Sequence, residues 1–509
     1  MNRTKNSARN IFFSLSGMLL STILTFVNRT VFIYSLGLNY LGLNGLYSNI
    51  LSFLSIAELG IGNAISFSLY KPLAQKDNEK IASYMNLFRI CYLVIGSLIL
   101  AMGLMLIPFL DYFVNFDSSV NINYNSIYYL FLINTVSPYF LFSYKSTVLY
   151  ADQKAYIVSK KDMLYQTVTI LFQVVALFVF KNYYLYLIIG TIVITIKNYS
   201  LSKIVDKMYP KIRNYKINNL TRDEKKTLMK NVYSLSLTKI SGVVYSSTDN
   251  IIISTFVNTL TVGLYSNYTM VVNMIKGIIA SFFNAFTASI GNLNSENDSN
   301  KLYDVFKKLN FVNFWLYGYL FICLNSLLNV FISIWVGKHA IFSQLNVFLI
   351  CVMFLVPGMN NVINIFKDAC GLYWQTRYRA VATAFVNLIV SLVLVKKIGI
   401  AGVFLGTIIA YLTTIYIKDP VVVYKECFRN KKVLNYYLEL GIRVLLILLL
   451  NVISNQVVVR LSFYMNGLLL FLTSGLVITV LVNAFFCALF HKKEEYVFFR
   501  TIFCNLVKK

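Results

Sequence analysis

The chain of 509 residues is 58% hydrophobic and only 13% charged, with a mean hydropathy of +0.66. Soluble domains carry about 25% charged residues, so this balance excludes a water-soluble fold and implies an integral membrane protein. The net charge of +26 leaves a nucleic acid or a membrane surface as the partner, and the placement of the cations decides between them.

Fourteen apolar runs recur from end to end, at roughly 11–34, 42–69, 85–110, 126–149, 162–180, 183–201, 232–256, 261–289, 309–335, 342–366, 378–395, 399–417, 436–459 and 465–490. Each is long enough, as a helix, for a hydrocarbon core of about 30 Å. The predicted fold is therefore an all-α membrane protein of about 14 transmembrane helices. The first run follows Arg3, Lys5 and Arg9 and is too long for a secretory signal, which predicts a signal-anchor helix with its start in the cytoplasm. The run 232–256, rich in Ser and Thr, is the weakest of the set. With this topology only Lys181, Lys338, Lys396, Lys397 and Arg460 fall on the outer side. The remaining cations gather in inward loops, tails and helix ends, as the positive-inside rule requires. The excess charge thus reads as topology and contact with anionic lipid headgroups, with no nucleic-acid partner, and both termini are expected in the cytoplasm.

The seven cysteines (Cys91, Cys323, Cys351, Cys370, Cys427, Cys487 and Cys504) show no metal-type spacing, and none lies in an outer loop. His339 and His491 sit in loops. Neither a metal site, an organic cofactor nor a disulfide framework is expected.

The pentapeptide Gly45-Leu46-Tyr47-Ser48-Asn49 recurs as Gly263-Leu264-Tyr265-Ser266-Asn267, 218 residues later. Asn10-Ile11 is echoed by Asn231-Val232, Gln153-Lys154-Ala155-Tyr156 by Gln375-Thr376-Arg377-Tyr378, and Gly190-Thr191-Ile192 by Gly406-Thr407-Ile408. The chain reads as a duplication of a unit of roughly 220 residues. Each copy holds six runs, and an even number returns the chain to its starting side. The copies are therefore parallel repeats about a pseudo-two-fold along the membrane normal, the plan of a carrier with its site between the halves. The predicted organisation is an N-lobe over 1–201, a basic cytoplasmic loop over 202–231, a C-lobe over 232–418, and two further spans with a cytoplasmic tail over 419–509. That last pair reads equally as an accessory pair, a lipid-access wall or an oligomer contact.

No outer loop exceeds about 15 residues, the longest being 111–125. This argues against a membrane enzyme acting on sugars at the outer surface. Gly337-Lys338-His339 lacks the upstream glycine and the hydroxyl residue of a phosphate-binding loop, so transport must draw on an ion gradient, the membrane potential or a downhill substrate.

Ionisable groups near the bilayer centre cost about 2.5–3.5 kcal/mol each on insertion scales and by default mark function. Arg89, Lys145 and Lys197 lie near inward helix ends and are expected to snorkel to the headgroups. Arg29, Glu58, Lys239, Asp249 and Lys276 lie deeper, and Arg443 stands outside the repeat. The offset of 218 maps Glu58 onto Lys276, and the offset of 221 from Asn10 to Asn231 maps Asn28 onto Asp249 and Arg29 onto Asn250. Two cross-lobe ion pairs are expected, Arg29–Asp249 and Glu58–Lys276; the alternative is that each charge bonds to a Ser, Asn or Tyr of its own lobe. With Arg29, Lys239 and Lys276, the residues Asn28, Asn49 and Asn273 suit an anionic, hydroxyl-rich ligand better than a cationic one, although any single Asn serves equally as interhelical glue.

Residues 53–77, with Glu58-Leu59-Gly60-Ile61-Gly62-Asn63-Ala64 and the helix-ending Tyr70-Lys71-Pro72, resemble the second-helix segment of Wzx-type polysaccharide-biosynthesis flippases. These belong to the multidrug/oligosaccharidyl-lipid/polysaccharide (MOP) exporter superfamily, whose MATE-like plan of 6 + 6 + 2 spans the whole chain also resembles. The resemblance implies translocation of an undecaprenyl-diphosphate-linked oligosaccharide between leaflets of a bacterial cytoplasmic membrane, for capsule, O-antigen or exopolysaccharide assembly. It implies a cavity lined by basic residues of the first, second, seventh and eighth helices, a role that Arg29, Lys239 and Lys276 match by position. No catalytic residue is implied, because no bond is broken. Na⁺, H⁺ or the membrane potential would couple the flip, with Glu58 or Asp249 as exchanging groups, and membrane lipids and polysaccharide-assembly proteins would be the other partners. A lipid II flippase and a cation-coupled multidrug antiporter of the same superfamily are the nearest alternatives, and a membrane polysaccharide polymerase a more distant one.

Overall fold

The computed structural model describes residues 2–58, 61–115, 122–152, 154–210, 247–284, 286–295, 298–372, 375–428 and 431–498, with a few single positions besides. The structure is nearly all helical, with no strand among the described residues. Ten helices in that set are long and apolar enough to cross a bilayer. The chain forms two compact units, Met1–Gly263 and Leu264–Lys509.

In the first unit, helix Asn2–Leu36 passes to Leu38–Leu54 through Gly37, whose φ of 85° an L side chain would resist. The second apolar run is not one helix. It breaks at a 3-10 turn, Ser55–Glu58, and resumes as Ile61–Gln75. Helix Asn78–Leu106 is capped by Asp77, which accepts from the Lys80 amide at 3.1 Å. The fourth run, Tyr124–Phe140, stops soon after Pro138; Phe142 turns left-handed (φ 61°) and a 3-10 turn, Ser143–Lys145, leads into Ser146–Ala151. Ala155–Val175 and Tyr183–Met208 follow, then a helix over 247–256. The seventh apolar run thus lies largely outside the described residues.

Gly45 and Gly263, which open the two pentapeptides, lie with Gly42 at one close helix crossing. A Cβ on Gly42 would lie 2.0 Å from the Thr259 carbonyl oxygen, and one on Gly263 would lie 2.5 Å from that of Leu38. Both obstacles are backbone, so only glycine fits. The third residue of each copy, Tyr47 or Tyr265, is buried. Tyr47 meets Tyr128 edge-on at 5.2 Å and donates to the Tyr124 carbonyl at 3.1 Å.

The second unit is built around Ser299–Trp335, a helix of 37 residues and so about 55 Å long. The final two helices, Val433–Leu461 and Gly467–Phe490, pack along it through polar bonds in an otherwise apolar contact. Asn325 donates to Asn451 Oδ1 at 3.0 Å, Ser326 to Asn455 at 2.8 Å, and the Trp315 indole to Asn483 at 2.8 Å. In lipid, apolar burial does not distinguish helix from tail, so such bonds carry specificity. Arg443, the charge outside the repeat, belongs to this seam. Its guanidinium binds Glu439 at 2.5 Å and lies 5.1 Å from the Phe314 ring.

Candidate functional site

Asn28 ties the first helix into its unit. Its amide donates to Gln173 Oε1 at 3.1 Å and to the Tyr186 hydroxyl at 3.0 Å, while Gln173 Nε2 donates to the Tyr186 carbonyl at 3.1 Å. The Asn28 Oδ1 atom, buried, has no hydrogen-bond partner. One turn on, Phe32 packs edge-on against Tyr183 and Tyr186, both at 5.3 Å. Arg29, next along the chain, is half-buried.

Glu58 sits in the 3-10 turn that breaks the second apolar run. Its carboxylate accepts from the Tyr92 hydroxyl at 2.6 Å and from that of Tyr139. In this conformation the partners are thus tyrosines of its own unit. Asn49 donates to its own helix, at the Gly45 carbonyl, at 2.7 Å. Asp249 is 5% exposed, on the helix that also buries Ser247 and Thr248. Lys239 lies outside the described residues.

On helix Thr259–Asn284, Asn273 and Lys276 are three residues apart and so share a face. That face continues through Gly277, Ala280, Ser281 and Asn284, with Asn273, Ala280, Ser281 and Asn284 exposed. Helix Leu38–Leu54 carries a comparable stripe, Asn44, Ser48 and Ser52, at intervals of four. Polar side chains on a membrane-spanning helix generally face a polar cavity or another helix rather than lipid tails. Lys276, half-buried within such a stripe, forms no salt bridge among the described residues.

Three charge contacts were not visible in the sequence. Lys145 is not left to snorkel freely: its ammonium meets both Asp206 carboxylate oxygens, at 2.7 and 2.8 Å. Lys197 likewise binds Asp162 at 2.9 Å. The partners lie 61 and 35 residues away, on other helices, and an amine held by a carboxylate has less need of the headgroups. In the second unit Asp419, fully buried, binds Arg379 and stands 3.9 Å from Lys367. Asn364 Oδ1 accepts from both cations, at 3.3 and 3.4 Å. Lys145 and Lys367 each precede their Gln-x-x-Tyr echo by eight residues, at Gln153 and Gln375. The repeat register thus relates the two lysines, whereas Asp206 and Asp419, 213 residues apart and just past the sixth and twelfth apolar runs, fall outside it.

No family model matches the sequence, and no curated protein matches it. Solved structures do. The lipid II flippase MurJ, in an inward closed conformation, superposes with a TM-score of 0.62 at 16% identity, covering 94% of this chain and 99% of the other. A multidrug resistance MATE family transporter of the MOP superfamily, inward-facing, gives 0.58 at 13% identity over 82% and 99%. A MOP superfamily transporter from Pyrococcus furiosus, described as having a binding pocket of reverse polarity, gives 0.56 at 11% identity over 83% and 96%. The chain has the MATE-like fold of these MOP-superfamily transporters. The 94% coverage leaves about 30 of the 509 residues unmatched. The last two helices hold 29 and 24 residues, so the likeness to MurJ reaches into that pair.

Proposed function

We propose that this protein is a flippase carrying an undecaprenyl-diphosphate-linked oligosaccharide from the inner to the outer leaflet, by alternating access, for the assembly of a surface polysaccharide. The observation that carries the reading is Lys276: an ammonium set in a stripe of small and polar residues, beside Asn273, without a salt bridge among the described residues. Such a group suits an anionic, hydroxyl-rich cargo. The MATE-like fold supports a carrier, and the length of the match to a lipid flippase supports a lipid-linked one.

In this reading Arg29, Lys239 and Lys276 hold the diphosphate, Asn28, Asn49 and Asn273 contact it or the first sugars, and the prenyl tail stays in lipid. With the cytoplasm negative, outward movement of an anion is downhill by about 2.3 kcal/mol per charge per 100 mV. Glu58 and Asp249 exchange partners between access states, pairing with Lys276 and Arg29 in one and returning to groups such as Tyr92 and Tyr139 in the other. Single reversals Glu58→Lys and Lys276→Glu should each abolish transport and the double reversal should restore part of it; a double no better than the singles removes the pairing. The two embedded carboxylates are what a cation-coupled multidrug antiporter would also need, and export of a cationic dye in exchange for H⁺ or Na⁺ would favour that reading. Neutralising the site with R29Q/K276Q should stop polymer export while the protein still inserts. Normal export by that variant would sink the site.

A further inference from the structure

We infer that the first unit holds a second anion site, away from the residues assigned to translocation: a cleft that takes the phosphate headgroup of an anionic phospholipid. Helix Asn78–Leu106, the Ser143–Lys145 turn and helix Tyr183–Met208 converge on a cavity of about 680 Å³. That volume lies within the range of small-molecule sites, about 300–1,000 Å³. The break in the fourth run forms part of its wall, through Phe142, Tyr144 and Lys145. The left-handed turn at Phe142 diverts the chain and leaves room between the ends of the neighbouring helices.

Its charge is unbalanced. Arg89, Lys145, Lys203 and Asp206 line it. Asp206 is engaged on both oxygens by Lys145, so those two form a neutral strut. Arg89 and Lys203 remain, and neither forms a salt bridge among the described residues. Lys203 is steered by the Tyr199 ring, 4.7 Å from its ammonium. Ser202 and Asn86 add hydrogen-bonding groups, and Phe142, Met85 and Val148 an apolar wall. A paired cationic and apolar lining fits an amphiphile with an anionic head better than a free ion. Snorkelling alone needs no cavity, and here three separate segments build one around two cations that have no carboxylate partner among the described residues.

The test is lipid retention by the purified full-length protein, measured by native mass spectrometry with dioleoylphosphatidylglycerol against dioleoylphosphatidylcholine, and by competition with inorganic phosphate. The wild type should hold one more phosphatidylglycerol than R89Q/K203Q, with an apparent affinity about 10- to 30-fold higher, as expected for two headgroup-level cations. R89K/K203R should keep that lipid, and K160Q/K207Q, which removes equal charge outside the cavity, should keep it too. Equal retention by wild type and R89Q/K203Q overturns the site. Displacement of the lipid by millimolar phosphate overturns the lipid occupant in favour of a soluble one. Loss in K160Q/K207Q to the same degree shows bulk charge rather than a site, and also overturns it. Because the readout is binding at equilibrium, it stands or falls independently of any flipping activity.

Discussion

Replacing Asp419 with Asn should destabilise the protein far more than the same change at Asp206, although the two aspartates serve equivalent lysines of the repeat. Asp419 is fully buried, bound to Arg379 and close to Lys367, itself 5% exposed. Removing its charge leaves the Arg379 and Lys367 cations buried together with only the more exposed Asp368, 3.6 Å from Lys367, as a counter-ion. Breaking a buried pair in this way costs about 3–5 kcal/mol. Asp206 has a side chain 35% exposed, and its lysine can turn to headgroups and water. Its loss should cost no more than about 1 kcal/mol, as for exposed pairs. With roughly 2–4 °C per kcal/mol for a unit of this size, Asp419→Asn should lower the melting midpoint by about 6–20 °C and Asp206→Asn by less than 4 °C. Fluorescence-detected unfolding in one detergent, with the three proteins side by side, reads the difference. Equal shifts, or a larger shift at Asp206, would refute the argument that burial sets the strength of these struts.

Other outcomes follow from packing and from the Glu58 turn. Gly42→Val should leave little monodisperse protein on detergent size exclusion, because its Cβ meets the Thr259 carbonyl, whereas Gly17→Ala, with open space around it, should behave as wild type. A double-mutant cycle of Asn325→Leu with Asn451→Leu should give a coupling of about 0.6–1.7 kcal/mol, and none would deny the polar seam of the last two helices. Tyr92→Phe with Tyr139→Phe removes both donors to Glu58 and should lower transport at least tenfold without loss of insertion; full activity would show that the turn is incidental.

Much of the architecture was legible in the sequence because bilayer thickness and helix geometry fix span length whatever the side chains do. The pentapeptide register also carried real information. It placed a tyrosine in the core of both units and marks the glycines where helices touch. Three features were hidden. The breaks at Ser55–Glu58 and at Phe142 occur inside continuous apolar runs, where hydropathy sees no interruption. The tyrosines around Glu58 are ordinary aromatic positions until two helices bring their hydroxyls together. The struts at Asp206 and Asp419 join residues 61 and 52 apart in sequence, which spacing alone does not connect. Lys145 reads as a snorkelling end residue for that reason, and only the structure shows its charge already balanced.

The proposed function assigns Arg29 and Lys276 to hold a lipid-linked diphosphate as it crosses. Its most direct measurement is leaflet-to-leaflet movement of a fluorescent undecaprenyl-diphosphate-linked oligosaccharide in proteoliposomes with the membrane potential clamped. The wild type should move it faster when the starting side is negative, and R29Q/K276Q should move it at the rate of empty liposomes. Movement by the double variant at the wild-type rate, or no movement by the wild type at any potential, would contradict the account.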